Sequence, residues 1–148
     1  MRQRHQLLLV EDNQADVIMI RKAVASAEIN ADFHVVYDGD TATQFIDAAD
    51  ANETAPRPDF VLLDMNLPKK NGDDVLKHLR ASTRCRNAIV LIVSSSDEPR
   101  DQSAVATLGI AGYFKKPYEY AEYMKLGPLV KQLLEARPGE TQTNNPEP

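Results

Sequence analysis

Five short apolar segments alternate with segments of helical spacing, and this alternation constrains the fold more than any other feature of the chain. The apolar segments are rich in β-branched and aromatic residues, as strands are, and they cover residues 7–10, 33–37, 60–63, 89–93 and 112–114. Between the first two, Val17, Ile20 and Val24 recur at helical spacing. Successive strand–helix–strand units form right-handed crossovers, so the pattern predicts an α/β fold with a doubly wound parallel sheet.

Capping residues agree with these helical segments. Asp97 followed by Pro99 is typical of a cap and first turn, and Gly109 follows the apolar Leu108 as a C-cap does. The last helical segment, residues 118–135, is interrupted by Gly127-Pro128. Proline within a helix removes a backbone hydrogen bond at a cost of about 3 kcal/mol, so we expect a kink or break there.

Length and composition indicate one domain. A chain of 148 residues with 43% hydrophobic residues can build one core, which we expect to span residues 1–135. Residues 136–148 are polar and rich in proline, so we expect a disordered C-terminal tail and no output domain. Residues 50–58 have the composition of a long exposed loop.

Charge and cysteine content exclude several classes of function. The net charge is −5 and the basic residues are scattered, so the sequence predicts no nucleic-acid partner. The N-terminus has no apolar targeting segment and no stretch is long enough to span a membrane, which predicts a cytoplasmic protein without a membrane partner. Cys85 is the one cysteine, so it suits a reducing compartment and cannot build a cysteine metal site.

Acidic residues directly follow two of the predicted strands. Glu11 and Asp12 come after the first strand and Asp64 after the third. The carboxyl ends of parallel strands lie at one edge of the sheet, where such folds bind ligands. Three carboxylates that converge there repel one another unless a cation or a proton joins them. Oxygen ligands of this kind favour Mg²⁺, which we predict as the cofactor.

A hydroxyl and a cation complete this edge. Ser94 ends the fourth strand, and Lys116-Pro117 follows the fifth. Acid, hydroxyl and amine groups therefore stand at the ends of four predicted strands.

Four strings of residues carry a resemblance to a known family. They are Leu-Leu-Leu-Val-Glu-Asp-Asn, Val-Leu-Leu-Asp-Met-Asn-Leu-Pro-Lys-Lys-Asn-Gly, Ile-Val-Ser-Ser and Gly-Tyr-Phe-Lys-Lys-Pro. In this order and on these elements, they resemble the receiver domains of two-component response regulators, over about residues 6–134. The resemblance implies a flavodoxin-like, three-layer domain whose five-stranded sheet has the order 2-1-3-4-5.

The resemblance also implies roles for the acidic residues. Asp64 is then the phosphoacceptor, to which a sensor histidine kinase transfers a phosphoryl group. Asp12 and Asp64 are direct Mg²⁺ ligands, Glu11 binds the ion through water, and the backbone carbonyl of Asn66 is a further ligand. The domain would catalyse its own phosphorylation and dephosphorylation and is not otherwise an enzyme.

The remaining implied roles concern the response to phosphorylation. Lys116 pairs with the phosphoryl oxygens, Ser94 donates a hydrogen bond to them, and Tyr113 is the aromatic switch residue. The Lys116–Pro117 peptide bond is expected to be cis, as is usual in this family.

Three departures from the commoner family pattern bear on partners. Ser94 replaces a frequent threonine, the loop at residues 50–58 is long, and Gly127-Pro128 disrupts the last helix. The broken helix puts in doubt a homodimer on the usual face of the fourth helix, fifth strand and fifth helix. The long loop, the absence of an output domain and the aromatic residues 118–123 resemble the small regulators that serve bacterial and cyanobacterial phytochrome kinases. A downstream phosphorelay protein is another partner that the resemblance allows.

Other functions compete with this interpretation. Haloacid-dehalogenase enzymes also form an aspartyl phosphate, but their motif resembles Asp-x-Asp-x-Thr, whereas Asp64 is followed by Met-Asn-Leu-Pro. A flavodoxin-like carrier needs a hydroxyl- and glycine-rich first loop in place of Glu11 and Asp12. A pseudo-receiver, which binds partners without phosphorylation, usually lacks one of the acids that this chain retains.

Single residues also have simpler explanations. Glu11 and Asp12 could cap a helix, and Tyr113 could be ordinary core packing. Tyr118, Tyr120 and Tyr123 either form a patch that faces a partner or cover the sheet. The histidines are scattered and form no ligand set; they are His5, His34 and His78.

Overall fold

The parallel sheet predicted from the strand pattern is present in the computed structural model, which describes residues 4–95 and 108–136. Within these residues the strands are β1 (His5–Val10), β2 (Ala31–Val36), β3 (Phe60–Leu63), β4 (Ile89–Ser94) and β5 (Gly112–Lys115). All adjacent strands are parallel, and their order is β2-β1-β3-β4-β5. The predicted doubly wound α/β fold and its strand order are therefore confirmed.

Helices connect β1 to β2, β2 to β3 and β3 to β4, as the helical spacing predicted, and two more follow β5. In the described part of the chain they are α1 (Gln14–Ser26), α2 (Gly39–Ala51), α3 (Gly72–Arg80), α4 (Tyr120–Met124) and α5 (Leu126–Glu135). The predicted cap at Asp97 and Pro99 lies outside the described residues, as does most of the predicted fourth helical segment. The predicted tail also lies outside them, apart from Ala136. Gly109 has a φ of 76°, the left-handed conformation that a C-cap glycine adopts.

The core has two halves, one on each face of the sheet. One half packs alternate residues of β1, β3 and β4 against α2 and α3, and the other packs the remaining residues against α1, α4 and α5. The central strands are apolar over residues 7–10, 60–63 and 89–93 because both of their faces are covered there. Each fully buried aliphatic side chain contributes about 1.5–3 kcal/mol, so these strands form a rigid platform for the residues at their ends.

The last helical segment is broken, as predicted, but the break precedes Gly127-Pro128. Helix α4 ends at Met124, Lys125 separates the two helices, and α5 begins at Leu126. Pro128 therefore lies in the first turn of α5, where a missing N–H costs little because it has no helical partner. Gly127 allows α5 to approach α1, since a Cβ atom at this position would lie 2.1 Å from the carbonyl oxygen of Ala23.

Two other expectations need correction. The peptide bond between Lys116 and Pro117, which was expected to be cis, is trans. The predicted loop at residues 50–58 begins later, because α2 continues to Ala51. Asp50 lies in this last turn, where its carboxylate accepts hydrogen bonds from the Ser82 hydroxyl and from the backbone N–H of Arg84. Asp50 thus ties α2 to the turn after α3.

None of the helices in the described residues combines the length and the apolar character that crossing a membrane requires.

Candidate functional site

The acidic residues that follow β1 and β3 lie side by side at the carboxyl edge of the sheet. Val10 is in register with Leu63, the last residues of these two strands. The ladder continues one step further, because the backbone N–H of Asp64 donates to the carbonyl oxygen of Val10 at 3.1 Å. Pairing of the central strands therefore fixes the position of Asp64 relative to Glu11.

These residues form an acidic pocket, which we define as Glu11, Asp12 and Asp64. One carboxylate oxygen from each of the three lies within 4.8 Å of the others. Glu11 and Asp64 are buried, at 1% and 5% exposure, whereas Asp12 is exposed. The predicted convergence of the three acids is thus present, with two of them shielded from water and one open to it.

Lys116 supplies the positive charge of the site. Its backbone N–H donates to the carbonyl oxygen of Ser94 at 2.8 Å, which extends the pairing of β4 and β5 and fixes the start of the side chain. The ammonium Nζ lies 2.8 Å from Glu11 Oε1 and 3.2 Å from Asp64 Oδ2. The lysine side chain is nine-tenths buried, so water screens these interactions little.

Burial and charge act in opposite directions on the pKa of Lys116. Burial alone would lower the pKa of the ammonium, but the hydrogen bond and charge of Glu11, together with Asp64 and Asp16, raise it above its usual value. Lys116 therefore stays charged at neutral pH.

Glu11 has an unusually high pKa. Burial raises the pKa of its carboxyl from 4.5 to about 7; Lys116 opposes this rise and the charge of Asp64 adds to it. One ammonium faces more than one carboxylate, so the pocket has an excess of negative charge that takes up a proton near neutral pH.

Asp16 is a residue of the site that the sequence analysis missed. It lies in the first turn of α1, and its Oδ2 is 3.0 Å from Lys116 Nζ. Its Oδ1 accepts a hydrogen bond of 2.9 Å from the hydroxyl of Tyr123. A signal was available, because Asp16 is four residues after Asp12 and lies in the first turn of α1, the helix that follows the carboxyl end of β1.

The other predicted site residues lie at or near this edge. Ser94 is fully buried at the end of β4, in register with Lys115. Tyr113 is half-buried in β5 and packs against the core half that faces α2 and α3. Asn66 is exposed, and its backbone N–H donates to Asp64 Oδ1 at 3.0 Å.

The aromatic residues after β5 divide between the two interpretations left open by the sequence. Tyr118 and Tyr120 are exposed, whereas Tyr123 is buried at 4% exposure against Phe114. Tyr123 therefore covers the sheet, and the other two face outward.

The acidic pocket fits a divalent metal ion. Glu11 Oε1 is fully buried and is paired with the Lys116 ammonium at 2.8 Å. Glu11 shares this one ammonium with Asp16 and Asp64, so the site keeps an excess of negative charge that a bound cation would offset. Carboxylate oxygens are the ligands that Mg²⁺ and Mn²⁺ prefer. Among the described residues, the acidic pocket is the group of at least three acidic, histidine or cysteine side chains that lie close enough together to bind one ion.

The sheet order and the acidic pocket together define a receiver-type signalling domain. The family model of the response regulator receiver domain matches residues 7–126. The chain therefore belongs to the response regulator receiver domain family.

Its relatives include response regulators associated with phytochromes. Response regulator Rcp1 of Synechocystis sp. is 29% identical over 120 residues, which are 81% of this chain and 82% of the relative. The crystal structure of the phosphorylated cyanobacterial phytochrome response regulator RcpA superposes with a TM-score of 0.79 at 27% identity. The Mn²⁺-bound form of Rcp1 superposes with a TM-score of 0.77, also at 27% identity. Each superposition covers 88% of this chain and 94% of the other.

Proposed function

We propose that this chain is a phosphorylation switch in which Asp64 accepts a phosphoryl group from the phosphohistidine of a sensor histidine kinase. The observation that carries the proposal is the position of Asp64. Its carboxylate is buried at the carboxyl edge of the sheet, 3.2 Å from the ammonium of Lys116 and next to two further acids. A nucleophilic carboxylate beside a fixed cation suits phosphoryl transfer, in which catalysis is mainly positioning and charge neutralisation.

The transfer balances as a single displacement. A carboxylate oxygen of Asp64 forms a bond to phosphorus while the bond between phosphorus and the imidazole nitrogen breaks, and the imidazole keeps that electron pair. Lys116 is placed to neutralise charge on the phosphoryl oxygens, since its Nζ is already within contact distance of Asp64. Mg²⁺, when bound, supplies further neutralisation of those oxygens.

The proposed metal ligands are the residues around the acidic pocket. Asp12 and Asp64 would bind the ion directly, Glu11 through a water molecule, and Asn66 through its backbone carbonyl. The burial of Glu11 and the exposure of Asp12 support this arrangement, because the site then has one buried wall and one side open to solvent.

Ser94 and Tyr113 form the proposed response to phosphorylation. The Ser94 hydroxyl would donate to a phosphoryl oxygen and move toward Asp64, and Tyr113 would fill the space that it leaves. Their neighbouring strands support the proposal, since Ser94 ends β4 and Tyr113 lies in β5 beside it. The surface around Ser94 and Tyr113 would then have two alternative packings, one favoured when Asp64 is free and the other when it is phosphorylated.

The proposed partner is a sensor kinase of the phytochrome type, acting in the cytoplasm. The similarity to Rcp1 and RcpA supports this class of kinase. We propose that residues 1–135 form the receiver domain and that its changed surface acts on a phosphorelay protein or on a second copy of the chain. The exposed Tyr118 and Tyr120 are suited to such contacts, because tyrosine is enriched at interfaces.

Intact-mass measurement tests the proposal. Incubation with acetyl phosphate and Mg²⁺ should add one phosphoryl group to the wild type, and EDTA should prevent it. Asp64→Ala should show no adduct, whereas Asp74→Asn, which changes an exposed acid of α3, should be labelled like the wild type. No adduct on the wild type would instead support a binding module that works without phosphorylation.

A second assay separates the switch from a phosphatase. The protein should release no more than a stoichiometric amount of phosphate from small phosphomonoesters. Sustained turnover would contradict the switch and support a haloacid-dehalogenase type of activity.

A further inference from the structure

Asp16 is bound on both of its carboxylate oxygens by residues from other elements. Oδ2 lies 3.0 Å from the Lys116 ammonium, and Oδ1 accepts the hydroxyl of Tyr123 at 2.9 Å. The two partners are 100 and 107 residues away along the chain. Asp16 therefore joins the start of α1, the residue after β5 and the helix α4 in one polar chain.

A simpler explanation is that Asp16 stabilises the N-terminus of α1. An acid in the first turn interacts favourably with the helix dipole, and the Asp16 backbone N–H is capped by the side chain of Asn13. That role needs only an exposed carboxylate near the first turn. It does not account for a side chain that is 23% exposed and has both oxygens engaged by Lys116 and Tyr123.

Tyr123 is held in a fixed orientation. Its ring is buried and lies 6.1 Å from the ring of Phe114, with the planes tilted by 46°. With the ring fixed by packing, the hydroxyl has one direction in which to donate, and Asp16 lies there. Hydrogen bonds to a charged acceptor are stronger than those between neutral groups, so Tyr123 holds the Asp16 carboxylate in place.

We infer that Asp16 is a positioning residue for phosphoryl transfer, which keeps the Lys116 ammonium in place beside Asp64, and that Tyr123 orients Asp16 for this task. The inference rests on the proposed phosphorylation of Asp64. Lys116 is a flexible side chain on a four-carbon stem, and its ammonium must already be at the phosphoryl oxygens when transfer occurs. Glu11, Asp64 and Asp16 hold it from three elements, and Asp16 alone among them is not proposed as a metal ligand or nucleophile.

The test compares variants in their rate of phosphorylation by acetyl phosphate at saturating Mg²⁺. Asp16→Asn removes the charge that holds Lys116 and should slow labelling about tenfold. Tyr123→Phe keeps the buried ring and removes only the hydroxyl, so it should slow labelling about threefold. Tyr37→Phe is the control, because this tyrosine is 46% exposed and has no part in the proposed site, and its rate should equal that of the wild type.

The double variant distinguishes positioning from a structural role. If Tyr123 acts through Asp16, Asp16→Asn combined with Tyr123→Phe should be no slower than Asp16→Asn alone. A merely structural role predicts lower thermal midpoints with unchanged labelling rates of the folded protein. Asp16→Glu retains a carboxylate and should recover part of the lost rate.

Spectroscopy gives a readout that is independent of the rate. In protein labelled with 3-fluorotyrosine, the Tyr123 resonance should shift when beryllium fluoride and Mg²⁺ form the acyl phosphate analogue at Asp64. Asp16→Asn should reduce that shift.

The outcomes separate this inference from the proposed function. A wild type that takes no label overturns both. The wild type could instead be labelled at the same rate as Tyr123→Phe and as folded Asp16→Asn. That result would overturn the positioning role and leave the proposed function intact. Multiplicative losses in the double variant would overturn the action of Tyr123 through Asp16.

Discussion

At the scale of single residues, burial determines the charge of the acidic pocket. Glu11 and Asp64 are taken out of water by the strands that precede them, whereas Asp12 stays exposed. Lys116 is kept charged by its three acidic neighbours, and Glu11 holds a proton up to a pH of about 7. The pocket is thus prepared to exchange a proton for a metal ion.

This exchange predicts that Mg²⁺ binding strengthens as pH rises. Below pH 7 a proton on Glu11 competes with the metal ion, and above pH 7 it does not. The apparent affinity should increase about tenfold between pH 6 and pH 8. Isothermal calorimetry in two buffers of different ionisation enthalpy would measure both the affinity and the proton release. Glu11→Gln should remove most of the pH dependence, and an affinity equal at both pH values would contradict the assignment.

The same pKa predicts how the stability of the metal-free protein depends on pH. The pKa of Glu11 is higher in the folded chain than its usual value of 4.5, so folding favours the protonated form. The contribution of this group is therefore complete below pH 4.5 and is lost as pH rises through about 7. Urea unfolding at pH 6 and pH 8 in EDTA should show the lower stability at pH 8 for the wild type and a smaller difference for Glu11→Gln.

At the scale of secondary structure elements, the close approach of α1 and α5 explains Gly127-Pro128, which the sequence predicted only as a helix break. Gly127 lies where α5 meets α1, and Pro128 occupies the first turn of α5. The sequence predicted an interruption because proline is incompatible with a helix interior. It could not predict that the break falls at Lys125, since that depends on how α5 packs on Ala23.

Gly127→Ala should therefore destabilise the protein. The added methyl group would lie 2.1 Å from the carbonyl oxygen of Ala23, so the backbone of one helix must move. We expect a loss of about 1–3 kcal/mol in the free energy of unfolding, measured by urea denaturation. Lys131→Ala, an exposed change on the same helix, is the control and should have little effect. Equal stabilities of Gly127→Ala and the wild type would refute the close approach.

At the scale of the whole molecule, the sequence predicted the sheet and the position of the acids because both follow from local patterns. Strand order and the ends of strands place Glu11, Asp12, Asp64, Ser94 and Lys116 at one edge. The cis bond between Lys116 and Pro117 was expected only because it is usual in the family, and in this protein the bond is trans. Asp16 escaped notice because its role depends on side chains that tertiary packing brings to it from the other end of the chain.

The central claim is that one carboxylate, Asp64, carries the phosphoryl group. Reduction with borohydride converts an aspartyl phosphate to homoserine, so peptide mass mapping after reaction with acetyl phosphate and Mg²⁺ would locate it. Homoserine at position 64, and its absence after treatment with EDTA, is the predicted result. Homoserine at Asp12 or at another acid, with Asp64 unmodified, would contradict the account.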